Sequence, residues 1–371
     1  DDPFRDAELV VDGLLGIGGH GGLRAPADEW ARRASGKRVV AVDLPSGVDA
    51  DTGVVDGVAV SADVTITFGA LKPGLLAGAG AEHTGELRLV DIGLGPHLEA
   101  ASVEVFEAAD VARELPPPAA RDDKYTRGVV GVAAGSAAYS GAAVMCTGSA
   151  LHGGAGMVRY AGAAADAVRA RWPEAVVTDR LEDAGRVQAW VIGPGLGTGE
   201  DAVRAVEHVL ADEVPVLVDA DAITVVASHR HLLEQRAAPT VLTPHDREFE
   251  RVFGPVGADR IGAATRAAGA SGAVVLLKGN ATIVASPHGS VFVNRTGTPW
   301  LATAGSGDVL SGLTASILAR GGPPDRAAAL GAFVHGVAGQ RAAADGPPSA
   351  GDVLAALRGA LDAIAEGPRG V

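Results

Sequence analysis

A single carboxylate set among small residues marks the stretch most able to do chemistry. Thr303-Ala304-Gly305-Ser306-Gly307-Asp308-Val309-Leu310-Ser311-Gly312 runs from glycines through one acid into apolar residues at helical spacing (Val309, Leu310, Leu313, Ile317, Leu318). The pattern predicts a glycine-rich turn feeding a helix N-terminus. Glycines let the backbone close on a ligand. The first N–H groups of a helix lack internal partners and sit at its positive dipole end. Such an end binds phosphate. Asp308 stands at the mouth of that anion site, where a bare carboxylate repels phosphate. Either it caps the helix, as Asp often does, or it takes the proton from a hydroxyl as that oxygen attacks phosphorus. The stretch alone leaves both readings open.

Holding such a turn in place takes a sheet. Apolar runs bounded by glycine turns alternate with helical patterns along the whole chain, which predicts parallel α/β architecture. In the first part, residues 7–18, 38–44, 63–69 and 87–94 read as strands, the first two buried, and 26–35 as a helix. Residues 108–123 hold three consecutive prolines and a charged tail, so 111–123 reads as a linker between 1–110 and 124–371. Beyond it, strands are expected at 128–135, 157–161, 189–193, 214–220, 238–244 and 273–279, with a hairpin over 282–294. Helices are expected at 141–153, 200–212 and from 307, 324 and 351. Ligands in such sheets collect at the carboxyl ends of strands. Polar or glycine clusters fall there at 135–141, 193–197, 219–221, 243–248, 278–282 and 303–308, which suggests one groove on one sheet.

Composition narrows the function. The chain has 371 residues, 47% of them hydrophobic, enough for two domains with full cores. Its 31 basic and 45 acidic residues give a net charge of −14, which argues against nucleic acid or an anionic membrane as partner. Cys146 is the only cysteine, so there is no internal disulfide and no cysteine-cluster zinc site, which fits a reducing cytoplasm. No apolar run reaches membrane-spanning length and no signal peptide is visible. The chain begins with Asp, the expectation for a fragment whose start lies upstream.

Five blocks in order, GPGLG (193–197), LVDADAI (217–223), LTPHDREF (242–249), LKGNATIV (277–284) and TAGSGDVLSG (303–312), resemble the ADP/ATP-dependent NAD(P)H-hydrate dehydratase family. The resemblance spans roughly 120–366 and implies a ribokinase-like α/β/α domain. The opening block 124–144 also matches. VVDGLLGIG (10–18), AVDLPSGVDADTG (41–53) and TITFGALKPGL (65–75) are similar to the later half of an NAD(P)H-hydrate epimerase domain, implying part of a Rossmann-like α/β domain in front. The earlier half of that domain, with its Asn motif, is not in these residues, and Ile17 stands where that family usually has Thr. Epimerase activity is therefore not expected of this chain alone.

The resemblance implies repair of NADH and NADPH whose nicotinamide ring has taken up water. The ring hydroxyl of the S epimer is phosphorylated by ADP or ATP with Mg²⁺, and phosphate is then lost. Asp308 is the implied base. Ala142, Gly195, Gly197 and His245 join Asp308 around the hydrated dinucleotide. Lys278, Gly279, Asn280, Ala281, Thr282, Gly305, Ser306 and Gly307 hold the nucleotide. Glu248 is either an exposed helix residue or an orderer of the metal's waters, and Tyr139 either core or pocket wall. In the epimerase-like part, Gly16, Ile17, Gly18, Gly19, His20, Gly21, Gly22 and Asp43 would hold the substrate, and Asp12 and Ser46 a potassium ion (K⁺). A homo-oligomer is also implied. A ribokinase-like small-molecule kinase or a non-catalytic nucleotide binder would share the turn, although an intact Asp308 argues against the latter.

Overall fold

Apolar strands assemble into two separate sheets, one wholly and one mainly parallel. The computed structural model describes residues 4–367. They fall into two units, one built from the residues up to Glu104 with Val256–Ala263, the other from Val105–Pro255 and 264 onward.

The first unit contains β1 (Leu9–Asp12), α1 (Ala27–Ala34), β2 (Arg38–Val42), β3 (Val64–Phe68), α2 (Gly78–Thr84) and β4 (Glu86–Val90). Its strands pair in the order β1-β2-β3-β4, all parallel. Side chains alternate across a strand, so each face can be followed through the register. Val39, Ala41, Thr65 and Thr67 line one face and are buried. Leu9, Val11, Val42 and Val90 lie on the other and are exposed, Val11 by 63%. The expectation that the first two strands are buried is corrected: among the described residues they are covered on one face and exposed on the other. An apolar run does not reveal whether one side or both will be covered.

The second unit continues with α3 (Ala108–Glu114), β5 (Val129–Ala133), α4 (Ser140–His152), β6 (Met157–Ala161), α5 (Ala165–Arg171), β7 (Val176–Thr178), β8 (Ala189–Ile192), α6 (Glu200–Leu210) and β9 (Val216–Val218). Next come α7 (Asp221–Ser228), α8 (His231–Glu234), β10 (Thr240–Leu242), α9 (Asp246–Phe253), α10 (Arg260–Ser271, whose residues up to Ala263 belong to the first unit), β11 (Val274–Leu277), β12 (Thr282–Ala285) and β13 (Val291–Asn294). The chain closes with α11 (Ser306–Leu318), α12 (Pro324–Ala342) and α13 (Ala350–Glu366). The sheet order is β13-β12-β11-β10-β9-β8-β5-β6-β7, parallel from β11 to β7, with the expected hairpin β12–β13 antiparallel at one edge. From β5 the chain winds outward to β7, and from β8 it winds the other way to β11. The order therefore reverses between β5 and β8, the place where such sheets open a crevice.

The stretch read as a linker begins inside α3. Val111 is wholly buried, and Arg326 donates to both carboxylate oxygens of Glu114. The prolines that suggested a connector follow the helix and end it.

α11 is buried on nearly all sides, which is why its pattern has little amphipathic contrast. It packs closely on α4. A β-carbon added at Gly312 would lie 2.1 Å from the Cys146 carbonyl oxygen and 2.1 Å from Ser149 Oγ. Gly312→Ala should therefore cost about 1–3 kcal/mol. Thermal unfolding should show a midpoint lower by about 2–4 °C for each kcal/mol.

Candidate active site

β9 ends in a buried acid that gathers its neighbours. Asp219 is 1% exposed. Lys278, just past β11, donates from Nζ to Asp219 Oδ1 at 2.9 Å, and Ser311 on α11 donates from Oγ to Oδ2 at 2.8 Å. A buried carboxylate needs such partners to stay ionised. The same ammonium stands 3.6 Å from Glu248 Oε2. Burial alone would lower the pKa of Lys278, but the charges of Asp219 and Glu248 outweigh it and hold the pKa above the usual lysine value.

Glu248 arrives through a reciprocal cap at the start of α9. His245 Nδ1 accepts from the Arg247 and Glu248 N–H groups at 3.1 and 3.3 Å, and the His245 N–H donates to Glu248 Oε2 at 2.9 Å. This is the capping-box arrangement with His in the Ser/Thr place. Glu248 is 7% exposed, so the reading of it as an exposed helix residue is corrected: the cap and Lys278 draw it inward.

The glycine turn closes over this cluster. Gly305 has φ 90°, a left-handed conformation that permits the sharp entry into α11. A β-carbon on Gly307 would lie 3.6 Å from Lys278 Nζ and 4.0 Å from Asp219 Oδ2, so the lysine–aspartate pair lies directly against the turn. Asp308 stands half-buried in the helix's first turn, three residues past the N-cap position, which Gly305 holds. Burial first, then the negative charges of Asp219 and Asp221, push its carboxyl up to about 7 against the pull of Lys278. A carboxyl tuned there can take and return a proton near neutral pH.

The ends of β5 and β8, where the strand order reverses, gather a second set of residues. The Gly135 N–H donates to the Pro194 carbonyl at 2.7 Å, tying the two strand ends together. Gly195 sits against Tyr139 and Ala142, where an added β-carbon would come within 3.0 and 2.8 Å of theirs. The Gly197 N–H donates to Asp221 Oδ2 at 2.8 Å. Tyr139 is 65% exposed, which removes the core reading. Gly279 and Asn280 are exposed on the turn between β11 and β12, while Ala281 is buried. Hydrogen bonds and close approaches thus join His245, Glu248, Lys278, Asp219 and Gly307, with Asp308 beside them. A second set joins Ala142, Gly195, Gly197 and Asp221. The cluster Asp219-Ala220-Asp221 at the end of β9 links the two sets.

In the first unit, Asp43 has φ 73°. Its Oδ1 accepts from Lys72 Nζ at 2.5 Å and from Thr67 Oγ1 at 3.1 Å. Residues 16–22 form a mostly exposed loop in which the Gly19 N–H donates to the Gly16 carbonyl. His20 Nδ1 lies 3.5 Å from Asp49 Oδ2, and Ile17 is exposed. Asp12 and Ser46, the residues expected at a potassium ion, lie side by side and are both buried. The Ser46 N–H and Oγ each donate to the Asp12 carboxylate at 2.7 Å, and Ser46 Oγ accepts from the Leu15 N–H. Their oxygens lock two strand ends to each other.

A parallel sheet with its order reversed beside a glycine turn at a helix N-terminus defines a ribokinase-like protein. An Enterococcus faecalis ribokinase-like superfamily protein superposes with a TM-score of 0.66 at 25% identity, over 73% of this chain and 99% of that one. The model described as NAD(P)H-hydrate dehydratase matches residues 130–359, and one described as YjeF-related protein N-terminus matches 1–74. The chain belongs to the NAD(P)H-hydrate dehydratase family. The bifunctional NAD(P)H-hydrate repair enzyme Nnr of Mycobacterium leprae is 51% identical over 96% of this chain and 76% of its own length. That of Mycobacterium tuberculosis is 53% identical over 87% and 67%. An ADP/ATP-dependent NAD(P)H-hydrate dehydratase from Bacillus subtilis, co-crystallized with ATP/Mg²⁺, superposes with a TM-score of 0.63 at 28% identity, over 71% of this chain and all of that one. Among the described residues no helix is long and apolar enough to cross a membrane.

The folded pKa of Asp308, about 7, lies above its reference value of 3.8. Between those values the folded chain holds a proton that the unfolded chain has released, so stability falls as pH rises through that window. Asp308→Asn removes this cost. The variant should melt a few degrees higher than the parent above about pH 7, and the gap should close near about pH 4.

Proposed function

We propose that the second unit dehydrates the S epimer of NADH or NADPH hydrate at the expense of ADP or ATP, releasing AMP or ADP and phosphate. The observation that carries this reading is Asp308, raised to about 7, in the first turn of α11 and beside the Asp219–Lys278 pair. As the base, Asp308 takes the proton of the ring hydroxyl while that oxygen bonds to the donor's terminal phosphorus and the bridging bond breaks. The N–H groups of Gly305, Ser306 and Gly307 meet the charge that develops on the migrating phosphoryl. The original ring carbon–oxygen bond then breaks with phosphate as the leaving group, and loss of a proton from the neighbouring ring carbon restores the double bond.

Lys278 neutralises Asp219 beneath the turn, so that the turn stays attractive to phosphate. Gly279 to Thr282 lie along the nucleotide. Ala142, Gly195, Gly197 and His245 line the side of the hydrated ring. Among the described residues no group of three or more His, Cys, Asp or Glu side chains is placed to hold a metal ion. Magnesium keeps most of its waters and binds largely through the donor's phosphates. Glu248, whose Oε1 makes a long 3.5 Å contact to His245 Nε2, would meet that water shell, and the bound ion would neutralise the donor's phosphates. In the first unit, Asp43 and the 16–22 loop are the groups we assign to substrate in an epimerase-like role.

Incubation with acid-generated NADH hydrate, ADP and Mg²⁺ should release phosphate and restore the absorbance of reduced nicotinamide. A stable phosphorylated product would instead mark an ordinary kinase. Activity should rise with pH through about 7, where Asp308 ionises. Asp308→Asn should lower kcat by roughly 10²–10⁴-fold with nucleotide affinity retained. Turnover left near the parent's would take Asp308 out of the mechanism.

A further inference from the structure

The turn between β9 and α7 holds a residue in an uncomfortable conformation. Ala220 has φ 50° and ψ −120°, and the Ala222 N–H donates to the Asp219 carbonyl at 3.1 Å. That is a type II′ turn with alanine where glycine is strongly favoured. Such a backbone costs about 1–3 kcal/mol and persists only where the surroundings over-determine it.

The surroundings do so from both sides. The Asp219 side chain is fixed by Lys278 and Ser311. Its carbonyl faces Gly193, where an added β-carbon would lie 1.9 Å away. Asp221, one residue beyond the strain, sends Oδ2 to the Gly197 N–H at 2.8 Å rather than to its own helix. Two carboxylates flanking one strained residue therefore serve different walls of the cleft. One secures the lysine and helix beneath the phosphate turn. The other closes the glycine loop at the β5–β8 crevice.

We propose that Asp219-Ala220-Asp221 is a positioning element, with Asp221 as a positioning residue that fixes the 195–197 loop on the substrate side. The turn thereby sets the gap between the phosphoryl donor and the attacking hydroxyl. This rests on the dehydratase reading above. A small error in that gap is costly, since a misplacement of about 1 Å can lose about 10²-fold in rate.

Asp221→Ala removes the acceptor from the Gly197 N–H. The KM for NADH hydrate should rise at least about 10-fold, the loss of a charge-assisted hydrogen bond, with the KM for ADP within about 2-fold. Asp221→Asn keeps an acceptor oxygen without the charge and should hold the KM for NADH hydrate within about 3-fold. Ala220→Gly relieves the strain. It should melt at or above the parent temperature, yet lose at least about 5-fold in kcat. If Asp221→Ala does not fold, the glycine variant carries the test. Equal changes in both KM values, no change in either, failure of the Asn variant to rescue, or a glycine variant with parental kcat would each overturn the proposal. A parent without turnover would sink the dehydratase reading instead. The loop could then still be judged by deuterium exchange over 195–197, which Asp221→Ala should speed at least about 10-fold and Asp221→Asn should not. Parental exchange in Asp221→Ala would end the proposal independently.

Discussion

Withdrawing a carboxylate from water is tolerable only when something else solvates it. Asp219 is solvated by an ammonium and a hydroxyl that come from far along the chain, Lys278 at the end of β11 and Ser311 one turn into α11. That pairing fixes three elements against each other: the end of β9, the end of β11, and the helix that carries Asp308. It also sets the charge of the cleft. Lys278 cancels the negative charge immediately below Gly307, and the field of Asp219 helps keep the Asp308 proton within reach of neutral pH. Losing either partner would strand an uncompensated buried charge, which is far costlier than never having built the pair.

Much of this was visible beforehand, and the reason is local. Glycine turns, helix starts and apolar strands are written in neighbouring residues. Gly305 to Asp308 announced the α11 start, and 282–294 announced the hairpin. What failed was what depends on partners distant in sequence. Glu248 looked exposed because nothing in DREFE tells that Lys278 will come beside it. The partners of Asp219 and Asp221 lie 92, 59 and 24 residues away, so no neighbouring residue announced them. α3 was hidden by the prolines that follow it.

The two units also show how much a strand's sequence leaves open. β5 and β8 are apolar and buried on both sides. β1 is similarly apolar, yet Leu9 and Val11 meet solvent. Coverage of a sheet is decided by which helices cross it, and crossing is a property of topology rather than of any single strand.

The seam between α4 and α11 has a further consequence. Gly312 lets the helices touch backbone to backbone, and Gly153 on the same seam leaves no room for a β-carbon beside Ser316 Oγ. Helices seated so tightly have no spare clearance in which to slide or roll. α11 is therefore a fixed datum, and whatever adjustment the cleft makes on filling must be absorbed by the loops that face it, such as 136–139 and 278–280. Rigidity is carried by the smallest side chains in the protein, and accommodation is left to its exposed turns.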